Sequence, residues 1–147
     1  MRALVQRVAG ADVSVAGQPV ARIDRGLLVY VGIAMADTDQ TARKLAQKVA
    51  DVRIFEDSDG KLNFSVQDAR GGVLSVPNFT LMADTRKGNR PVLTAAAPPA
   101  QAKAIFETFV KALDELCPPA AAGIFGANMV VRSEAVGPVN VMLDITS

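Results

Sequence analysis

The side chains that most enzymes use for proton transfer and metal binding are scarce in this chain, which has no histidine and one cysteine, Cys117. A Ser-His-Asp triad, a Cys-His pair and a zinc site with imidazole ligands are therefore excluded. We interpret Cys117 as an ordinary buried or edge thiol. An enzyme with this composition would depend on carboxylates, lysine, hydroxyl groups, backbone dipoles or a group that its substrate supplies.

One polar loop concentrates positive charge, because Arg86, Lys87 and Arg90 lie within five residues and beside Gly88. The planar guanidinium of arginine can bind two phosphate oxygens, so such a loop could contact a phosphate backbone. A solvated loop without a ligand is the alternative. The net charge of the whole chain is only +1, so any basic surface for nucleic acid must be local.

A hydroxyl group precedes this loop, at Thr80 in the sequence Phe79-Thr80-Leu81. Threonine acts as a nucleophile only when a neighbouring base takes its proton. The chain has no histidine, and the nearest following lysine is Lys87. The alternative interpretation is a strand hydroxyl that bonds to the backbone.

Two short motifs are typical of turns. Asp57-Ser58-Asp59-Gly60 is followed by Lys61 and Leu62, where a calcium loop of the EF-hand type needs an oxygen ligand and a glycine. We therefore predict a plain turn at 57–60. Gly137-Pro138 also favours a turn when considered alone, since most X-Pro bonds are trans.

Length and composition favour one globular domain, which we expect to span 1–147. The chain has 147 residues, of which 50% are hydrophobic and 21% charged. No apolar stretch is long enough to span a membrane, and the second arginine of the chain comes too early for a secretory signal. With one cysteine, these features predict a cytoplasmic protein.

Hydrophobic periodicity predicts the elements that would position these residues. The predicted helices span 39–50, after a cap at Thr38, and 98–116. The predicted strands span 2–8, 13–15, 26–33, 72–76, 129–132 and 139–145. We also predict a turn at 9–12, a hairpin that joins 52–55 to 62–66, and a continuation of the fourth strand toward 79–82. Strands joined by hairpins, with only two helices, favour the α+β class over a doubly wound sheet.

Read in order, several segments resemble the D-aminoacyl-tRNA deacylase family, also called D-tyrosyl-tRNA deacylase. They include Arg-Ile-Phe-Glu-Asp at 53–57, Phe-Thr-Leu at 79–81 and Gly-Pro-Val at 137–139. Further matching segments are 1–8, 26–29, 83–88 and 125–129. The resemblance runs from the first residue to the last predicted strand.

The resemblance implies a compact α+β domain with a mostly antiparallel or mixed, barrel-like sheet and two main helices. It also implies a homodimer with active sites at the subunit interface, no membrane association, and no metal ion or cofactor. The implied reaction is hydrolysis of the ester between a D-amino acid, or glycine, and the terminal adenosine at the 3′ acceptor end of tRNA. Backbone groups and the 2′-hydroxyl of the substrate would serve this reaction, which fits the absence of histidine.

The resemblance also implies roles for individual residues. Phe79 and Thr80 would form one pocket wall, and the Phe79 amide with the Asn78 side chain would face the developing oxyanion. A cis Gly137-Pro138 would reach in from the other subunit and exclude L side chains, and Arg7 would brace that dipeptide. Met129 would line the pocket. Arg86, Lys87 and Arg90 would contact the tRNA acceptor end.

Four positions depart from the family pattern. Pro77-Asn78 stands where the family usually has Ser-Gln, and Ala135 and Asn140 stand where it has Asn and Thr. Asn78 is one methylene shorter than glutamine, so its donor would fall about 1 Å or more short. Three hypotheses follow: a D-aminoacyl-tRNA deacylase, a deacylase of relaxed chirality that also removes L-amino acids from mischarged tRNA, and a catalytically silent tRNA-binding homologue.

Overall fold

The computed structural model describes residues 1–146, in which a curved mixed sheet separates two hydrophobic cores. The strands are β1 (Arg2–Val15), β2 (Gln18–Ile23), β3 (Gly26–Gly32), β4 (Phe55–Glu56), β5 (Leu62–Phe64), β6 (Gly72–Pro77), β7 (Ala120–Ala122) and β8 (Met129–Asp144). The helices are α1 (Asp39–Asp51), α2 (Pro99–Leu116) and a short 3-10 helix (Phe79–Met82).

The sheet has the order β2-β1-β3-β6-β7, with β8 also paired to β1. β1 pairs antiparallel with β2, β3 and β8, whereas β3-β6 and β6-β7 are parallel. The two helices pack against each other and on one face of the sheet. The α+β prediction with a mixed, barrel-like sheet and two main helices is therefore confirmed. No helix within 1–146 has the length and apolar character needed to cross a membrane.

Both helices form where the periodicity predicts them. Thr38 caps α1 through a reciprocal pair of hydrogen bonds with Thr41, so the predicted cap is confirmed. α2 begins at Pro99, one residue later than predicted, and ends at Leu116. The buried stripes of the two helices face the larger core and include Leu45, Ala46, Val49, Phe106, Phe109 and Leu113.

The predicted turn at 9–12 is wrong, because β1 runs without interruption through this segment. Ala-Gly-Ala-Asp has the composition of a turn, but both edges of β1 are paired here, for example at Ala11 with Ile23 and with Ser133. A register shift at Ala9 accommodates the change in pairing.

The predicted turn at Gly137-Pro138 is also wrong, because β8 is one strand rather than two. Its register with β1 shifts here: Gln6 pairs with Asn140 and Val8 with Ala135, so 136–139 lie opposite Arg7 alone. These four residues form a bulge of β8, which we call the β8 bulge. Its Gly137-Pro138 peptide bond is cis, and Gly137 has a φ of +118°.

The third correction concerns 79–82, which form a 3-10 helix instead of continuing β6. β6 pairs with β3 as far as Pro77, which has no N–H to donate to a ladder. The Asn78 N–H still donates to the Val31 carbonyl (2.8 Å), and the Leu81 N–H then turns back to the Asn78 carbonyl (3.3 Å). The chain therefore leaves the sheet at Asn78.

One buried hydroxyl allows a test of the packing. Ser75 is fully buried in β6, and its Oγ has no hydrogen-bond partner within 1–146. Because Ser75→Ala removes an unsatisfied polar group, we expect the free energy of unfolding to stay constant or rise by up to about 1 kcal/mol. Urea denaturation followed by circular dichroism measures it.

Ser65 provides the matched control, because it is also buried but its hydroxyl donates to Asp68 (3.0 Å) and accepts from the Asp68 N–H (3.2 Å). Ser65→Ala should lower the free energy of unfolding by about 1 kcal/mol. A loss at Ser75 as large as that at Ser65 would contradict the packing described for β6.

Candidate functional site

A mostly apolar cavity of about 520 Å³, here called the Asn78 cavity, opens between the end of β3, the start of α2 and the segment before β8. Asn78, Phe79 and Met129, three of the predicted site residues, line it together. Phe125 forms part of its wall and packs against Phe106 of α2, with ring centroids 6.3 Å apart. The cavity therefore combines an apolar lining with the amide side chain of Asn78.

Asn78 is held at three points. Its backbone binds Val31 and Leu81 as described, and its side-chain Oδ1 accepts a hydrogen bond of 2.5 Å from the Thr80 hydroxyl. The Leu81 N–H donates the first hydrogen bond within the 3-10 helix. The Phe79 and Thr80 N–H groups come before it in the chain and therefore have no partner inside this helix. Thr80 is exposed and is not among the residues that line the Asn78 cavity, so its place in the pocket wall stays a prediction.

Arg7 lies outside the Asn78 cavity, and its side chain is buried. Its Nε donates to the Val136 carbonyl (3.2 Å) and its Nη1 to the Ile54 carbonyl (3.0 Å), while Nη2 lies 3.6 Å from Glu56 Oε1. A second cavity of about 600 Å³, here called the Arg7 cavity, is lined by Arg7, Glu56 and Gly137 among others. The guanidinium thus connects the β4-β5 hairpin to the β8 bulge.

Neither Gly137 nor Pro138 lines the Asn78 cavity, and both are exposed. Within one chain the structure therefore keeps two groups of predicted site residues apart: Asn78, Phe79 and Met129 in one, and Arg7, Gly137 and Pro138 in the other. A third depression of about 640 Å³, between α2 and β7, contains none of the predicted site residues.

The basic loop is closed at its base by Asp84 and Val92, whose backbones exchange two hydrogen bonds of 2.8 and 2.9 Å. Arg86 is not a free cation: its Nε and Nη2 bind both carboxylate oxygens of Asp84 at 2.7 to 3.1 Å. This contact lowers the pKa of Asp84 below its usual value. Lys87 and Arg90 are exposed and make no ion pair within 1–146.

Sequence reasoning missed Asp84 and the wall residues Leu93 and Ala96. The signal for Asp84 was its spacing of two residues from Arg86, because an aspartate often accepts a hydrogen bond from the second residue after it; Asp84 accepts one of 2.9 Å from the Arg86 N–H. Leu93 and Ala96 line the Asn78 cavity from an irregular segment with no periodic pattern.

Cys117 is buried, as predicted. Burial raises the pKa of its thiol above the usual value. The thiol therefore stays protonated at neutral pH, which agrees with an ordinary structural role.

Comparison with known proteins identifies the family. The sequence profile of the D-Tyr-tRNA(Tyr) deacylase family matches residues 4–144. A D-aminoacyl-tRNA deacylase of Deinococcus radiodurans is 50% identical over 145 residues, which cover 99% of this chain and 100% of that protein. One of Saccharophagus degradans is 48% identical over 143 residues, covering 97% and 99%.

Two solved structures share the fold of this chain. The c-Myc DNA unwinding element binding protein superposes with a TM-score of 0.94 at 36% identity over all of both chains. A probable eukaryotic D-amino acid tRNA deacylase has a TM-score of 0.84 at 19% identity over 98% of both chains, which shows a shared fold. The chain therefore belongs to the D-Tyr-tRNA(Tyr) deacylase family, as the order of its motifs predicts.

Proposed function

We propose that this chain hydrolyses the ester bond of D-aminoacyl-tRNA, and of glycine mischarged on tRNA, and releases the free amino acid and tRNA. The proposal rests on one observation: Asn78 and Phe79 line an apolar cavity in a chain that is about 50% identical, over nearly its full length, to curated D-aminoacyl-tRNA deacylases. The aminoacylated adenosine would enter the Asn78 cavity. We place the reaction in the cytoplasm, where aminoacyl-tRNA is used.

The reaction needs few catalytic groups apart from hydrogen-bond donors directed at the carbonyl oxygen, because an aminoacyl ester is already reactive toward water. The Phe79 N–H and the Asn78 side-chain amide would donate hydrogen bonds to the carbonyl oxygen as it gains negative charge. Water, activated by the free 2′-hydroxyl of the substrate, would attack the carbonyl carbon. The ester bond would then break, and the 3′-oxygen of the terminal adenosine would leave with a proton that derives from that water. The apolar wall would limit competing solvent. The proposed step uses neither a metal ion nor a cofactor.

A second copy of the chain would complete the site. β8 pairs only with β1 among the strands of 1–146, and three of its apolar residues, Val130, Val136 and Met142, are 53%, 41% and 48% exposed. An exposed strand edge with apolar side chains favours association with another copy. We propose a homodimer in which Gly137-Pro138 of one subunit, braced by Arg7, enters the Asn78 cavity of the other and excludes L side chains.

The basic loop would contact the acceptor end of the tRNA. Leu93, immediately after the loop, lines the Asn78 cavity, so the loop stands close to the cavity. Lys87 and Arg90 supply the available positive charge, whereas Arg86 is neutralised by Asp84. All three residues belong to the loop that we propose to bind tRNA, but the guanidinium of Arg86 binds Asp84 instead of a phosphate.

Salt-dependent binding tests the loop. Lys87→Ala and Arg90→Ala should each weaken binding of uncharged tRNA about fivefold at 0.15 M salt and lower the slope of log K against log salt by about 1, because each removes one phosphate contact. Arg86→Ala should change affinity less than twofold. Filter binding at four salt concentrations measures this, and equal losses for all three variants would refute the assignment.

Hydrolysis of D-tyrosyl-tRNA, glycyl-tRNA and L-tyrosyl-tRNA by the purified protein tests the function. We expect cleavage of the first two and little cleavage of the third. Comparable cleavage of the L ester would support the relaxed-chirality hypothesis, which Pro77, Asn78, Ala135 and Asn140 motivate. Binding of tRNA without cleavage of any ester would refute a deacylase and support the silent homologue.

A further inference from the structure

The contact between Thr80 and Asn78 assigns the threonine a role that the proposed function does not include. We propose that Thr80 is a positioning residue, whose hydroxyl binds the Asn78 amide oxygen and thereby directs the Asn78 amide nitrogen toward the substrate carbonyl. This inference rests on the proposed deacylase function, because it concerns the same site.

The direction of the hydrogen bond carries the argument. A neutral amide side chain has an acceptor end and a donor end. The Thr80 Oγ1 lies 2.5 Å from the Asn78 Oδ1, and only the hydroxyl can donate between two oxygen atoms. With the oxygen engaged, the NH2 group is the end of Asn78 that remains for an acceptor in the cavity.

The remaining freedom of Asn78 is small. The hydrogen bonds to Val31 and Leu81 fix its backbone, so rotation of the side chain decides which end of the amide faces the cavity. Without the Thr80 hydroxyl the amide could rotate by half a turn. It would then present its oxygen to the developing oxyanion, and two partial negative charges would repel.

The same contact opposes a nucleophilic role for Thr80. A threonine nucleophile needs a base that accepts its proton. The acceptor in this structure is an amide oxygen, which is not a base at neutral pH. Thr80 also does not line the Asn78 cavity, where the ester carbon would have to lie.

A double-mutant cycle tests the inference, with initial rates on D-tyrosyl-tRNA. Thr80→Val, which keeps the shape but removes the hydroxyl, should lower kcat about tenfold and change KM less than threefold. Thr80→Ser should recover most of this loss. In an Asn78→Ala background, Thr80→Val should cost less than a further twofold, because the hydroxyl then has no amide to direct. Equal losses in both backgrounds would overturn the inference.

Two further measurements separate the inference from the proposed function. The side-chain amide resonances of Asn78, assigned by their disappearance in Asn78→Ala, should shift in Thr80→Val and stay close to wild type in Thr80→Ser. Unchanged resonances in Thr80→Val would overturn the inference whether or not the protein is active. A burst of released tRNA with acylated protein, lost in Thr80→Val, would make Thr80 the nucleophile and also overturn it. An inactive wild type would refute the proposed function alone.

Discussion

Asn78→Ala is expected to lower kcat for D-tyrosyl-tRNA about 100- to 1,000-fold while KM changes only a few-fold. This is the usual cost of removing one hydrogen-bond donor to an oxyanion in a site that limits water. A much smaller loss would show that asparagine, one methylene shorter than the glutamine usual in the family, does not reach the oxyanion. Asn78 lines the cavity beside Phe79, and its backbone contacts do not involve the side chain. The substitution should therefore leave the 3-10 helix in place. Single-turnover kinetics, with product release excluded, gives the rate of the chemical step.

Asn63→Ala is the matched control, because Asn63 is an exposed asparagine in β5, away from the Asn78 cavity. It should leave both kinetic constants unchanged. Circular dichroism of both variants checks that the fold persists. If Asn78→Ala raised KM and left kcat intact, Asn78 would bind the ground state, and the proposed contact with the oxyanion would be wrong.

A heterodimer with Asn78→Ala in one subunit and Gly137→Ala in the other is expected to regain about half of the wild-type rate, although each homodimeric variant loses most activity. A Cβ at Gly137 would lie 2.9 Å from Arg7 Nη2, and the φ of +118° disfavours other residues. If each site takes Asn78 from one subunit and Gly137 from the other, one of the two sites in this heterodimer is intact. Two affinity tags isolate the heterodimer for the assay.

The control places both substitutions in one subunit and pairs it with a wild-type subunit. Each site then contains one altered residue, so this heterodimer should be nearly inactive, although it carries the same two changes. The opposite pattern, with this heterodimer half active and the first one inactive, would show that Gly137 serves its own chain. Analytical ultracentrifugation of the wild type provides the independent check of dimer formation.

Local sequence signals predicted much of the fold. The apolar stripes of α1 and α2, the cap at Thr38 and the hairpin around 57–60 each depend on residues close together in the chain. The errors in β1 and β8 arose where distant pairing overrides local preference. Gly10 favours a turn in isolation, yet paired neighbours on both sides of β1 hold the segment extended.

The candidate site was predictable only in part. The motif order identified Asn78, Phe79 and Met129, which the structure brings to one cavity. No sequence pattern showed that Asn78 and Thr80 would contact each other, because that contact requires a 3-10 helix where a strand was expected. The pairing of Arg86 with Asp84 likewise depends on the conformation of the loop.

The contacts of Arg7 have a consequence for assembly. Arg7 is only 7% exposed. Its guanidinium donates to the Val136 carbonyl, next to Gly137, and to the Ile54 carbonyl in the segment before β4. Contacts within a single subunit thereby hold the β8 bulge in place. Association of two subunits would cost little conformational entropy at this segment, and an aminoacyl group would meet a preorganised surface instead of inducing one.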